Sequence, residues 1–322
     1  MLPPVCEVLG IQQPIVPARN VGGAPNGSSG LECALDILAL TWSTPAGDVA
    51  RETAALTDRP FGGNLILSSD HHRRLDEALE AGMRIVSLMW GVPAGYVEQV
   101  HDANGVLLHT VGSAEEARRA AASGVDVVVA QGWEAGGHVW GQVATLPLVP
   151  AVVDAVTPVP VIAAGGIGDA RGVAAVVALG AQAAWLGTRF LLAQEMPIHE
   201  EYRRRLMDAA ETDAQSYANL YEVGVSEAPH RAIRNSTAEA WEAAGRPPPG
   251  SRPGEGDVIA HFASGEPIIR YATAAPMVSS TGDIEALSLW AGQSVALARQ
   301  PQSAAEIVAE LVSCVAQELT AP

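Results

Sequence analysis

Apolar residues gather along the chain in short, nearly continuous runs at Ile11–Val16, Leu38–Trp42, Phe61–Leu67, Arg84–Met89, Val106–Val111, Val125–Gln131, Val159–Ala164 and Ala183–Leu186. A strand with one wet face alternates apolar and polar positions, so unbroken runs predict parallel strands covered on both sides. Most runs lead into a stretch with apolar residues three or four apart, such as Ser113–Ala122 and Asp169–Leu179. Eight strand-then-helix units of this kind predict an α/β fold, the TIM (β/α)8 barrel.

Local signals fix parts of the register. Ser113 followed by Ala114-Glu115-Glu116 has the pattern of a capping box, and Asp169 opens a helix directly after Gly165-Gly166-Ile167-Gly168. The helical period is lost over residues 211–282, where Arg246–Gly256 (RPPPGSRPGEG) is too rich in proline and glycine for a regular element to cross. The chain thus divides into a barrel at 1–210, an inserted lobe or cover at 211–282, and C-terminal helices at 283–322 that pack on the barrel. Ile284–Ala298 and Ala304–Leu319 carry the helical spacing of that last part. Ala24–Gly30 (APNGSSG) occupies the place of the first barrel helix, which its loop-like composition leaves weak or absent.

Composition narrows the partners. The 322 residues suffice for a full-sized core, and 48% hydrophobic against 17% charged residues suits a globular chain. A net charge of −17 argues against nucleic acid and anionic membranes, which draw affinity from clustered Lys and Arg. Cys6, Cys33 and Cys314 show no CxxC spacing and no histidine at metal-ligand distance, so they read as reduced thiols. The N-terminus has no basic stretch leading into a long apolar one, and no apolar segment reaches the roughly 20 residues that span a bilayer. The expectation is a cytoplasmic protein acting on a small molecule, as a monomer or a homo-oligomer.

Two glycine turns follow the seventh and eighth strands, Gly165-Gly166-Ile167-Gly168-Asp169 and Gly187-Thr188-Arg189. Barrels bind phosphate at these loops, because glycine lets backbone N–H groups approach the oxygens; ordinary tight turns share the composition. GGIGDAR does not complete GxGxxG, which disfavours a dinucleotide fold. At the end of the sixth strand, Gln131–Gly141 (QGWEAGGHVWG) holds His138 in a glycine-rich loop. An imidazole there is either a solvated surface group or a general base, and Trp133 and Trp140 beside it favour a walled pocket. Asn64 and Gln131, polar residues in apolar runs, either hydrogen-bond a heterocycle or satisfy neighbouring backbone. His71, His72, His101 and His109 lack a metal partner at useful spacing and read as helix-surface or core groups. Without GxSxG, HExxH or a Walker motif, a bound cofactor is the natural carrier of the chemistry.

Together QGWEAGGHVWG, PVIAAGGIGDARGVAAVVALGA with LGTRFL, and ALSLWAGQSVAL resemble the nitronate monooxygenases, once called 2-nitropropane dioxygenases, over nearly the whole chain from Leu9 to Leu319. The resemblance implies a TIM barrel that binds FMN and oxidises alkyl nitronates with O2 to a carbonyl compound and nitrite. It also implies that His138 is the active-site histidine and that Asn64, Gln131 and Gly136 contact the flavin ring. Gly165, Gly166, Gly187 and Thr188 would cradle the phosphate, and Gln293 would lie near the flavin. The chain departs from the family where Ala-Pro-Met-Gly-Gly is usual after the first strand and here Pro17-Ala18-Arg19-Asn20-Val21-Gly22-Gly23 stands. One flavin-side wall therefore does not carry over. Flavin-type enoyl-acyl-carrier-protein reductases share the EAGGH loop, and an NAD(P)H:quinone reductase on the same barrel or a flavin-free binding protein are further alternatives. The low basic count argues against NAD(P)H docking.

Overall fold

The computed structural model describes residues 3–19, 35–40, 45–68, 71–223 and 228–318. Its parallel strands are β1 (Ile15–Arg19), β2 (Asp36–Ala39), β3 (Phe61–Ile66), β4 (Ile85–Met89), β5 (Val106–Val111) and β6 (Val127–Gln131). After a two-residue strand β7 (Gly137–His138) in the following loop, β8 (Val161–Ala164) and β9 (Ala183–Leu186) complete them. Pairing in the order β1-β2-β3-β4-β5-β6-β8-β9 and back to β1 closes the barrel that the apolar runs predict. Helix α1 (Pro4–Leu9) precedes it, and α2 (Ala46–Ala54), α3 (His72–Glu80), α4 (Ala94–Asp102), α5 (Ala114–Ser123), α6 (Thr145–Val156), α7 (Ala170–Ala178) and the one-turn α8 (Thr188–Leu191) follow β2 to β9. The Ala24–Gly30 segment, Asn20–Gly23 and Cys33 lie outside the described residues.

Alternation along the strands sorts the side chains. Val16, Ile37, Ile85, Leu108, Val129, Ile162 and Trp185 form one buried cluster in the lumen with Val5, Cys6 and Leu9 of α1, which plugs the N-terminal end. The intervening Ile15, Leu38, Leu65, Val86, Leu107 and Val128 pack outward with the helices. By the same period of two, Asn64, Ser87, Thr110 and Gln131 face the lumen on four successive strands, with Asn64 and Ser87 in register. The lumen is thus apolar at its floor and polar toward the C-terminal mouth, where barrel enzymes keep their sites.

The helix starts behave as their sequences predict. Ser113 accepts the N–H of Glu116 at 3.2 Å, while the Glu116 carboxylate turns to the N–H of Gly112 at 2.7 Å, so the returning half of the capping box secures the end of β5. Asp169 accepts the N–H of Gly172 at 3.2 Å.

Beyond α9 (Glu200–Asp208) the chain is more regular than its lost period suggests. It forms β10 (Ala214–Tyr217), β11 (His230–Ile233), α10 (Ser236–Ala243), β12 (Val258–His261), β13 (Pro267–Ile269), β14 (Thr281–Gly282) and finally α11 (Ala304–Glu318). Strands β10, β11 and β7 make one antiparallel sheet, so this part of the chain is stitched to the barrel loop through His230 and His138. Ile284–Ala298 is not the helix its spacing predicts but two short 3-10 turns, Ile284–Ala286 and Gln293–Leu297. Its carbonyls are taken by neighbours instead: Asn235 Nδ2 donates to those of Glu285 and Leu287, and the Ile233 N–H donates to that of Leu289 at 2.8 Å. Helix α11 packs against α7 and α8. No helix among the described residues is long and apolar enough to cross a membrane.

Arg189, buried in α8, donates to the carbonyl of Gln300, to the Gln302 side chain and to Glu310 of α11. Arg189→Ala is expected to cost about 1–3 kcal/mol, the loss of hydrogen bonds from a charged donor, read as a lower urea midpoint at an unchanged slope.

Candidate active site at the barrel mouth

The loop after β6 crosses the mouth on glycine contacts. A Cβ at Gly132 would lie 1.9 Å from Thr145 Oγ1, one at Gly136 2.4 Å from the Gly292 nitrogen, and one at Gly141 2.6 Å from the Gly112 Cα. Gln131 closes the loop from below: its Nε2 donates to the His138 carbonyl at 3.1 Å and its Oε1 accepts the Trp140 N–H at 3.4 Å. Both ends of the amide that the resemblance assigns to a flavin ring therefore also hold the histidine loop. Glu134 accepts the Thr145 N–H at 2.9 Å, and Thr145 Oγ1 donates to the Gly165 carbonyl at 2.8 Å.

Register puts the two glycine turns side by side, because Ala164 pairs with Trp185 one residue before Gly165 and two before Gly187. Gly165 and Gly166 have φ of +91° and +72°, a left-handed pair open to glycine and strained for other residues. The Gly292 N–H donates to Thr188 Oγ1 at 2.9 Å, and the Gln293 N–H donates to the Glu134 carbonyl at 3.0 Å. Thus Gln131, Gly136, Gly165, Gly166, Gly187, Thr188 and Gln293 belong to one interlocked patch, with Asn64 beside Ser87 on the lumen wall. A cavity of about 310 Å³ lies next to Gly166, lined by Glu134, Glu211, Gln293 and Leu297 among others. His138, Gly187 and Thr188 are not on its wall, and two carboxylates make it a poor seat for a phosphate.

His138 stands among rings from three distant segments. Trp90 meets it edge to face at 5.4 Å, Trp290 lies tilted to it at 5.7 Å and His230 stands edge-on at 6.4 Å, while Trp140 lies tilted against Trp90 at 5.9 Å. Trp133, expected as a wall, lies instead under the Arg231 guanidinium at 5.4 Å, and its carbonyl accepts from Arg231 at 2.9 Å. Trp90, Trp290 and His230 carry no sequence signal that joins them; only the Trp90-Gly91 pair ending a strand hints at the first.

Charge is kept away from this cluster. His230 is fully buried, with Nδ1 2.8 Å from the Ala228 carbonyl and Nε2 accepting the Tyr221 N–H at 3.1 Å. Only the neutral Nδ1–H form satisfies both bonds, and burial lowers its pKa to about 4. His138 keeps part of its ring open, but its Nε2 is enclosed without a partner. Burial, then the neighbouring His230, lower the His138 pKa to about 4. His109, on the outward face of β5, is also lowered to about 4 by burial against the raising effect of Glu116. His72 stacks on Tyr96 at 4.2 Å and His101 bonds Asp126 at 3.0 Å, the helix-surface roles expected of them.

Two tests follow from this geometry. Three imidazoles titrate near 6.5 when unfolded and near 4 when folded, so the unfolded chain binds more protons in that window. Their contribution is full above about pH 6.5 and is lost as pH falls toward 4, so the urea midpoint should drop steadily from pH 7 to 4.5; a flat midpoint would contradict it. Gly136→Ala should lower thermal stability by about 1–3 kcal/mol through forced overpacking against Gly292, seen as a reduced melting temperature.

The nitronate monooxygenase family model matches residues 64–313. A Mycobacterium tuberculosis protein named (3aS,4S,5R,7aS)-5-hydroxy-7a-methyl-1-oxo-octahydro-1H-indene-4-carboxyl-CoA dehydrogenase is 34% identical over 257 residues, covering 76% of this chain and 69% of its own. A nitronate monooxygenase of Paraburkholderia phytofirmans is 31% identical, with 94% of this chain and 92% of that protein covered. Among solved structures, FabK from Thermotoga maritima aligns with a TM-score of 0.77 at 25% identity over 99% of this chain and 97% of that one. Nitroalkane oxidase from Streptomyces ansochromogenes aligns with a TM-score of 0.76 at 26% identity over 99% of both chains. With the match spanning most of the barrel and the histidine loop, the chain belongs to the nitronate monooxygenase family of oxidoreductases.

Proposed function

We propose that the chain is an FMN-dependent enzyme that converts alkyl nitronates and O2 into a carbonyl compound and nitrite. The observation that carries this reading is the neutral, partly open imidazole of His138 at a mouth bordered by two adjacent glycine turns. The residues present fit a flavin. A Cβ at Gly187 would meet only the Ala18 Cβ at 3.7 Å, so that turn leaves its backbone open, whereas the left-handed Gly165-Gly166 pair packs closely under residues 132–135, where a Cβ on Gly165 would lie 2.8 Å from the Gly132 carbonyl oxygen. Thr188 begins α8, so its N–H has no acceptor within the helix. Ser87 Oγ, buried in the lumen in register with Asn64, has no partner, which suits a wall facing a heterocycle.

Gly165, Gly166, Gly187 and Thr188 would hold the phosphate, Asn64, Gln131 and Gly136 the ring, and Gln293 would lie nearby. Bound FMN would supply the electron acceptor, a capacity no side chain here has. His138 is in its basic form at neutral pH, and a neutral nitroalkane would give it the α-proton. A conjugate acid near pH 4 makes it a weak base, however, whereas a nitronate arrives already deprotonated and asks only to be positioned. The site therefore favours nitronates. Trp90 and Trp290 flank the imidazole and shield its enclosed Nε2 side. We place the enzyme in the cytoplasm, with small nitro compounds and O2 as its partners.

A second reading, redox chemistry on a CoA-linked acyl group, draws on the name of the Mycobacterium tuberculosis relative and on apolar residues exposed around the mouth loops, Val92, Trp140, Val143 and Leu146. The deciding assay is nitrite release from propyl-2-nitronate in air without NADH, which we expect to be positive. Flavin bleaching by NADH with no nitrite formed would replace our reading with the second. His138→Asn should cut turnover of neutral nitroalkanes about 100-fold or more and that of nitronates much less, since only the former need proton transfer. Equal losses would remove the base assignment. For neutral nitroalkanes kcat/KM should stay level at neutral pH and fall only as pH drops through about 4, where His138 takes up its proton.

A further inference from the structure

Several barrel strands hand over to glycine at the mouth: Gly112 follows β5, Gly132 follows β6, Gly165 follows β8 and Gly187 follows β9. Strand β4 does not. It is followed by Trp90, whose φ of +65° is left-handed, a conformation that costs a bulky residue about 1–3 kcal/mol and that glycine would adopt freely. Gly91 continues the turn at φ +62°, pressed so close to Leu67 that a Cβ would lie 2.8 Å from the Leu67 Cβ. A large ring held at a position where glycine would be cheaper points to a use for that ring.

The ring is 6% exposed, packs with Met89, Ile66 and Ala228, and stands at 78° to His138. Its Nε1–H is enclosed and has no acceptor. An indole N–H can only donate, and leaving it enclosed and unmet costs about 1–3 kcal/mol. Other indoles of the chain are satisfied: Trp140 donates to Glu116 at 2.7 Å and Trp241 to the Pro247 carbonyl at 2.9 Å. The enclosed, unpartnered Nε2 of His138 belongs to the ring that Trp90 meets. One donor and one base, both enclosed and without protein partners, thus lie on neighbouring rings whose centroids are 5.4 Å apart.

We propose that Trp90 is a substrate-binding residue whose indole N–H donates to an oxygen of the nitro or nitronate group while His138 addresses the neighbouring α-carbon. This rests on the nitronate reading above and adds to it the group that fixes the substrate's orientation. A nitronate oxygen carries most of the negative charge, and a donor placed there binds it without adding a second charge to the mouth.

The test uses FMN-loaded protein and 2-methyl-2-nitropropane, a nitro compound with no α-hydrogen that binds without reacting. Trp90→Phe keeps an aromatic ring against His138 and removes the donor. We expect it to fold with a cooperative melt, to bind the analogue about tenfold or more weakly by calorimetry, and to lose kcat/KM for propyl-2-nitronate to a similar degree. Trp90→His, which restores a ring N–H, should recover part of the affinity. Unchanged binding and kcat/KM in Trp90→Phe, with wild type releasing nitrite, would overturn this proposal alone. Wild type that neither binds the analogue nor releases nitrite would overturn the functional reading and this one with it. If Trp90→Phe fails to fold, wild type labelled with 15N-tryptophan decides: an indole N–H resonance should move downfield on adding the analogue, and none moving would overturn the proposal.

Discussion

The close approach of Gly136 to Gly292 holds the mouth together. The two backbones meet where a side chain on either would collide, since a Cβ on Gly292 would lie 2.7 Å from the Glu134 carbonyl oxygen. Because the N–H groups of Gly292 and Gln293 are given to Thr188 and to Glu134, this contact also sets the distance between the turn after β9 and the histidine loop. Three segments far apart in sequence share one fixed geometry through packing and hydrogen bonds from backbone N–H groups. Packing so tight has few ways to relax, which is what an imidazole needs if it is to hold a constant direction.

The electrostatic character of the site follows from what surrounds it. Indoles and a second, neutral histidine stand where a carboxylate often orients a catalytic histidine, so burial outweighs any stabilisation of an imidazolium. The charged form becomes favourable only when a negative charge enters beside it. An anionic substrate supplies that charge itself, and the base then strengthens with occupancy, which links substrate charge to proton affinity in one pocket.

Much of the barrel can be read from the chain because each apolar run answers to the same constraint, burial on both faces of a parallel strand. The turns at Gly165 and Gly187 and the loop of His138 are legible for a related reason: backbone that must come close to something is written in glycine. Ser87, Trp90, His230 and Trp290 are not legible. Ser87 looks like any small residue in a strand, and its lack of a partner exists only once Asn64 lies beside it. Trp290 and His230 reach His138 through pairings across the fold that no periodicity encodes. The same cause undid the helix expected at Ile284–Ala298, where Asn235 and Ile233 claim the backbone groups that a helix would have used. Tertiary partners outbid local propensity there.

The two-residue ladder between β7 and β11 has a consequence for how the molecule is assembled. Barrel strands pair largely with neighbours in the chain, whereas His138 meets His230 only after α6 to α9 and β10 have been laid down between them. Contacts of such range close a long loop of chain and so slow the step that forms them. The ladder is therefore where the later chain is fastened to the histidine loop, and parting it would free His138 from His230 without unpairing any strand of the barrel.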